Sequence, residues 1–226
     1  VRHTSLDYEI AEDTEHRDLF SWTDEAGQVH SRYYKHPAHT QDLLNRREMI
    51  ETSTRLADST VLLIKEIGTD ALFALDLVSR VVDEKAGTDY NERVAAFHRH
   101  CRDGDLTLAV AQTDVKGDRS LLPTQQEHPD YYVHIVEERD DGIVVRGAKA
   151  HTTGTPFVDE VIVLPTRAIT AEDADYAVAF AVPVNTPGVK LLASPFGAGE
   201  SASAFHAPIS SEHRLVDTLT VFDDVF

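Results

Sequence analysis

The chain has 226 residues, and 39 acidic against 21 basic side chains give it a formal charge of −18. That balance argues against gripping nucleic-acid phosphates or anionic lipid, since both need clustered Lys and Arg. With Cys101 as the single cysteine, one chain cannot form an internal disulfide, a CxxC zinc site or an all-cysteine iron–sulfur cluster. A hydrophobic content of 42 % is enough for a real core. No apolar run has membrane length and no secretory leader pattern opens the chain, so a soluble, reducing, cytoplasmic setting is expected. Val1 in place of Met, and the apolar close Val221–Phe226, read as the ends of a fragment.

Residues 1–39 are polar, include His36 and His39, show no sustained period and are expected to be irregular. From Thr40 the pattern turns helical. Thr40 or Asp42 can cap a helix whose Leu43, Leu44, Met49, Ile50 and Leu56 lie roughly on one side. Asp58 or Ser59 can cap a second helix, in which Val61, Ile64, Gly68, Ala71, Leu75, Val78 and Val82 follow a 3-4-3-4 spacing. Leu63, Ile67, Phe73 and Leu77 occupy its other side, so it is apolar nearly all round and expected at a domain centre. Gly87 suits its C-terminal cap. Asp89-Tyr90-Asn91-Glu92 has capping-box spacing for a third helix, which Gly104 can end.

Beyond Gly104 the period changes. Strands are expected over 106–112, 131–137, 142–149, 160–164, 176–184, 189–193 and 215–222, separated by Gly, Pro and Asp breakers. Glu138-Arg139-Asp140-Asp141-Gly142 is a hairpin signal between two of them. Helices first and strands second define an α+β chain: a helical segment over 1–104, then an antiparallel β-barrel or sandwich over 105–226.

Asp114-Val115-Lys116-Gly117-Asp118-Arg119-Ser120 is a dense polar cluster at a strand end. Lys116 and Arg119 can neutralise a phosphate or a flavin N1 charge, and Gly117 permits close backbone approach. An ordinary solvated turn accounts for the same heptapeptide. Gly147-Ala148-Lys149-Ala150-His151-Thr152-Thr153-Gly154 carries side-chain donors suited to the edge of a planar heteroaromatic ring, and His151 can move protons near neutral pH. A polar strand end before a glycine turn is the plainer account.

Glu66 and Asp70, at i and i+4, can share a proton or hold a metal, while Lys65 beside them suits a plain internal ion pair. His98-Arg99-His100-Cys101 looks like a metal cluster, but i and i+2 side chains on a helix point apart, so no metal site is expected. Gly197-Ala198-Gly199-Glu200-Ser201-Ala202 matches GxGxxA without the strand–helix setting that motif needs.

Taken in order, Leu43-Leu44-Asn45-Arg46-Arg47-Glu48, Asp105-Leu106-Thr107, Thr113–Arg119, Asp141–Gly154 and Val221–Phe226 resemble the 4-hydroxyphenylacetate 3-monooxygenase family, which also contains 4-hydroxybutyryl-CoA dehydratase. The likeness runs from about Thr40 to Phe226. It implies the acyl-CoA dehydrogenase-like fold, of which this chain would supply part of the helical N-terminal domain and the middle β-domain. The C-terminal helical bundle would be absent.

By that resemblance, Gln112, Thr113, Lys116, Arg119 and Ser120 would contact FAD from one loop, and Lys149, His151, Thr152 and Thr153 from the neighbouring strand end. The implied enzyme is the oxygenase component of a two-component aromatic hydroxylase. A separate flavin reductase supplies FADH2, the substrate is a small phenol, and the protein forms a homo-oligomer, by family a tetramer. His151 and Arg119 are the candidates for stabilising the flavin and its oxygen adduct. The family's dehydratase places cluster-binding cysteines on the helix that here reads Leu62–Leu72, where no cysteine stands and Glu66 takes one such position. Its hydroxylases hold the phenol with an Arg and a Tyr on that helix and a His on the first β-strand, and only Asp70 is in its expected place. A cluster-free, dehydratase-like flavoprotein and a catalytically silent fragment are therefore the alternatives.

Overall fold

In the computed structural model, which describes residues 2–58, 63–194, 205, 206, 208 and 216–226, helices precede strands as the change of period predicts. The chain divides into two units, Val1–Leu108 and Ala109–Phe226.

The first unit corrects the expectation of an irregular start. Helix α1 spans Arg2–Glu12, a short α2 spans Arg17–Phe20, and strands β1 (Ser21–Thr23) and β2 (Val29–Ser31) form a hairpin. No long period marks this stretch because its order comes from packing at a distance. Ile10, Phe20, Tyr33 and Met49 make one buried cluster, with Leu6 and Leu19 against it. The hairpin turn is tied by the Asp24 carboxylate, which accepts the Ala26 and Gln28 N–H groups at 2.9 and 2.8 Å.

Helix α3 spans Thr40–Leu56. Asp42 serves its N-terminus from the first turn, accepting the Ala38 and His39 N–H groups at 3.0 Å each. Lys35, 2.5 Å away, holds the Asp42 carboxyl down to about 2. Met49 is fully buried, whereas Leu43, Leu44 and Leu56 stay exposed.

Helix α4 spans Leu63–Ala86, and the anticipated start at Ser59 and Val61 lies outside the described residues. Its faces reverse the expectation of a helix buried all round. Lys65, Thr69, Asp76 and Ser79 are buried, with Leu72 among them, while Ile67, Leu77, Val78 and Val81 are exposed. Partners explain the inward polar face: Asn91 donates to the Asp76 carboxylate at 3.0 Å and to Ser79 Oγ at 3.1 Å, and Thr69 donates to the Lys65 carbonyl at 2.7 Å.

Gly87 takes a φ of +69° and its N–H closes on the Asp83 carbonyl at 2.8 Å, as a C-terminal cap requires. Helix α5 spans Tyr90–Asp103, but the Asp89 side chain makes no cap bond. The capping carboxylate is that of Asp83, which accepts the Tyr90 and Asn91 N–H groups at 2.9 and 2.8 Å. No described helix is long and apolar enough to cross a membrane.

The second unit holds two sheets among the described residues. One has the order β3-β6-β7, with β3 Leu108–Ala111, β6 Glu160–Val163 and β7 Phe180–Pro183. The other has the order β4-β5-β9-β8, with β4 His134–Arg139, β5 Gly142–Thr153, β8 Val189–Ala193 and β9 Asp217–Val225. Every anticipated strand is present, several with shifted ends; Leu215 and the GxGxxA stretch lie outside the described residues. Short 3₁₀ turns at Pro129–Tyr131 and Ala171–Tyr176 replace the first residues expected in β4 and β7. The β4–β5 hairpin closes as read, with Arg139 opposite Gly142. Val161, Ile162 and Val163 are each at most 1 % exposed, so β6 is covered on both faces.

Candidate functional site

Two segments meet where β3 ends against β5. Beyond Ala111, Asp114 forms an antiparallel bridge with Lys149, and the Ala150 N–H donates to the Thr113 carbonyl at 2.7 Å. The loop 115–120 and the residues after Lys149 therefore diverge from one backbone contact.

On the β5 side the pairing with β9 slips. Lys149 faces Thr220 and Thr152 faces Thr218, so Ala150 and His151 together oppose Leu219. That extra residue is a β-bulge, a device that re-aims a side chain. His151 takes the left-handed conformation, φ +57°, at a backbone cost of roughly 1–2 kcal/mol for a residue with a Cβ. Its ring is exposed between buried Lys149 and Thr152, with no hydrogen-bond or ion-pair partner among the described residues.

On the loop side the backbone is tied and the cations are left over. Lys116 is also left-handed, φ +77°, and its N–H donates to the Tyr131 carbonyl at 3.3 Å. Gly117 follows at φ +52°, and a Cβ there would stand 2.5 Å from Gln126 Oε1 and 2.6 Å from Tyr131 Cδ2. Only glycine fits. Gln126 completes the turn, accepting the Asp118 N–H at 3.0 Å and donating to the Asp118 carbonyl at 2.7 Å. Neither the Lys116 ammonium nor the exposed Arg119 guanidinium has a hydrogen-bond or ion-pair partner among the described residues.

Lys149, named from sequence as a donor to a heteroaromatic ring, points inward and is 2 % exposed. Its ammonium reaches Asp114 Oδ1 at 2.6 Å, the Leu164 carbonyl at 2.8 Å and the Gln112 carbonyl at 3.1 Å. Three N–H groups meet three acceptors, which leaves none for a ligand. Burial pushes this ammonium's pKa down, and the Asp114 carboxylate opposes that shift.

The other residues named from sequence divide in the same way. Gln112 is exposed and Thr113 half-buried, both beside the loop. Ser120 donates its hydroxyl to Asp118 Oδ1 at 2.7 Å, and Thr153 donates its own to Asp217. Thr152 is fully buried, and its hydroxyl has no hydrogen-bond partner among the described residues. Asp114 and Thr166 were not singled out. Asp114 was visible inside the polar heptapeptide, but Thr166, whose hydroxyl lies 2.5 Å from an Asp114 oxygen, stands 52 residues away and carried no signal.

In the first unit, Glu66 and Asp70 are not paired with Lys65. Asp70 meets Arg46 at 2.7 Å, and the same guanidinium donates to the Glu66 carbonyl and to Thr69 Oγ1 at 2.8 Å each. Lys65 instead pairs with Asp105 at 2.8 Å, with Asp7 at 3.5 Å. Glu66 Oε2, both Asp7 carboxylate oxygens and the Tyr33 hydroxyl are buried without hydrogen-bond partners among the described residues. Burial pushes the Asp7, Glu66 and Tyr33 pKa values up. In the His98–Cys101 run, His98 and Cys101 face inward and His100 outward. His98 Nε2 lies 2.9 Å from the Tyr34 carbonyl, and burial with His36 alongside brings its pKa down to about 4.

Two diverging segments with cations unpaired among the described residues, a glycine-dependent turn and a strained histidine make a candidate binding rim on the second unit. Over residues 1–226 the sequence matches the family described as 4-hydroxyphenylacetate 3-hydroxylase N terminal, and the chain belongs to it. The 4-hydroxybutyryl-CoA dehydratase/vinylacetyl-CoA-Delta-isomerase of Clostridium aminobutyricum is 34 % identical over 231 residues, covering 100 % of this chain and 46 % of that protein. The 4-hydroxyphenylacetate 3-monooxygenase oxygenase component of Thermus thermophilus is 30 % identical over 225 residues, covering 100 % and 45 %.

Solved structures agree. An oxygen-tolerant 4-hydroxybutyryl-CoA dehydratase from N. maritimus superposes with a TM-score of 0.85 at 27 % identity, over 99 % of this chain and 45 % of that one. HpaB, an oxygenase component of 4-hydroxyphenylacetate 3-monooxygenase complexed with FAD, gives 0.81 at 27 % identity, over 100 % and 45 %. The chain spans a little under half the length of these relatives.

Proposed function

We propose that this chain is the N-terminal part of the oxygenase component of a two-component aromatic hydroxylase that uses FAD as FADH2. Residues 1–104 would be its partial helical domain and 105–226 its middle β-domain, the two sheets belonging to the barrel or sandwich of an acyl-CoA dehydrogenase-like fold. The observation that carries the reading is the rim on the second unit, in a chain whose whole length matches the family.

The residues fit the cofactor. An isoalloxazine ring offers acceptor atoms along one edge and becomes anionic on reduction, and Lys116, Arg119 and His151 are donors without partners among the described residues. Lys116 and Arg119 would balance the negative charge, His151 would hold a proton at a ring nitrogen, and Gln112 and Thr113 would orient the polar edge. When bound, reduced flavin supplies the electrons with which one atom of dioxygen enters an aromatic ring. A separate flavin reductase, a small phenol, a cytoplasmic setting and a homotetramer go with this reading. The exposed Ile67, Leu77, Val78 and Val81 stripe on α4 would be covered by the half of the protein beyond this chain.

Fluorescence titration with FAD and FADH2, on the full-length protein and on this chain, tests it. Tight binding of the reduced form, with hydrogen peroxide or hydroxylated phenol formed under oxygen, is the expected result.

A second reading is a cluster-free relative of the dehydratase acting on an acyl-CoA. It is favoured by the 34 % identity to that enzyme and opposed by the absence of cysteine from α4. Tight binding of oxidised FAD without oxygen reactivity selects it. Binding of neither form by this chain alone marks it as a silent fragment.

A further inference from the structure

The Lys116–Arg119 loop and the His151 bulge leave the β-structure at one backbone bridge, and a buried ion pair spans that bridge. Asp114 is 4 % and Lys149 2 % exposed. The Lys149 ammonium is saturated by Asp114, Gln112 and Leu164, as described above. The Asp114 carboxylate also accepts the Val133 N–H at 3.2 Å, and Thr166 Oγ1 stands 2.5 Å from it and 2.5 Å from the Gln112 carbonyl. The Asp114 N–H donates to that hydroxyl at 3.0 Å. Four segments of chain, at 112–114, at 133, at 149 and at 164–166, are thus held to one point by charge and hydrogen bonds.

A buried ion pair is a poor stabiliser compared with an apolar pair of similar volume, because both charges lose their hydration. Its gain is directional. An ammonium with three fixed acceptors tolerates little rotation or slip, whereas methyl groups in the same space would tolerate both. What it fixes here is the place from which the two segments diverge: Lys116 lies two residues beyond Asp114, and His151 two residues beyond Lys149.

We infer that the Asp114–Lys149 pair, completed by the Thr166 hydroxyl, is a positioning device that sets the Lys116–Arg119 loop against the His151 bulge so that both reach one flavin. Neither charge of the pair touches the cofactor; Lys149, named from sequence as a contact, acts through its neighbours. The inference rests on the flavin reading above.

The test uses the full-length protein with Lys149→Met, Asp114→Leu, both together, and Thr166→Val, measuring melting temperature, FAD dissociation constant and the visible spectrum of bound flavin. Each single charge removal is expected to lower the melting temperature and weaken FAD binding. The double variant is expected to recover most of the melting temperature, yet to bind FAD at least tenfold more weakly and with an altered flavin spectrum. Thr166→Val, which keeps both charges, is expected to weaken FAD severalfold with little change in melting, and it decides the matter should the double variant not fold.

Wild-type affinity and spectrum in a folded double variant, or in Thr166→Val, overturn the positioning role. Weak binding in Lys149→Met alongside unaltered binding in Asp114→Leu also overturns it, because the ammonium then contacts flavin directly. Failure of the unsubstituted full-length protein to bind flavin is a different result, which removes the flavin reading and this role with it.

Discussion

Lys65 in the first unit and Lys149 in the second are equally buried, each 2 % exposed, yet their surroundings have opposite character. Lys149 has three acceptors within 3.1 Å, and its carboxylate partner is itself filled by a main-chain N–H and a hydroxyl. Lys65 has one close carboxylate, Asp105 at 2.8 Å, and the Tyr8 ring 3.9 Å below it. Its second carboxylate, Asp7, stands at 3.5 Å, with neither oxygen well hydrogen-bonded among the described residues. Tyr33 and Glu66, which share the Asp7 field, add two more buried atoms without a close hydrogen-bond partner among the described residues. The same pair of residue types therefore yields a closed node where donors equal acceptors and an open one where donors run short. The closed node fixes geometry. The open one responds to protons and has polar atoms enough to hold water.

The largest effect that tests this contrast is Lys149→Met, which strands the Asp114 charge and is expected to cost about 3–5 kcal/mol in denaturant unfolding. A loss below about 1 kcal/mol would break the comparison. Next comes the acid response of the first unit. His98 is held neutral with a pKa of about 4, below the unfolded value of about 6.5, so stability present above that value is lost as pH falls towards 4. Melting curves across that range should show a decline on the order of 2 kcal/mol that His98→Gln removes.

Asp7 slopes the other way. Its folded pKa is raised by burial, so the folded chain holds that proton more tightly, and stability falls as pH rises out of the ordinary carboxylate range. Asp7→Asn should flatten this slope and raise stability near neutral pH by on the order of 1 kcal/mol, read from melting temperature against pH. A destabilised Asp7→Asn would mean that the node is closed after all. The smallest effect is Asp42→Ala, expected to cost ~1 kcal/mol at the start of α3 and seen as a small drop in melting temperature.

Much of this architecture was legible in the sequence, and the failures share a cause. Helix α5 and the Asp140-Asp141 hairpin rest on local chemistry, and both formed as read. The α5 cap was assigned to Asp89 because capping-box spacing is local; the carboxylate that does the work, Asp83, reaches over from the preceding helix. Helix α1 has only Leu6 and Ile10 to show a period, and its partners Phe20, Tyr33 and Met49 come from other elements. On α4 apolar spacing indicated burial, but the inward face was decided by polar partners such as Asn91 and Asp105. At the candidate site, Lys116, Arg119 and His151 stood out in the sequence because polar side chains clustered at strand ends announce themselves. The burial of Lys149 was not legible because the bulge after it breaks the alternation that would have marked it as inward, and Thr166 is joined to Asp114 only by the fold.

The left-handed backbone at His151 has a consequence for evolution and engineering alike. Glycine accepts that conformation without penalty, so His151→Gly would relax the bulge while removing the imidazole. If His151 has the flavin role proposed for it, selection for thermal tolerance alone would drift towards glycine at this position, and selection for turnover would return it to histidine. On that proposal the bulge is a place where robustness and usefulness pull the same codon in opposite directions.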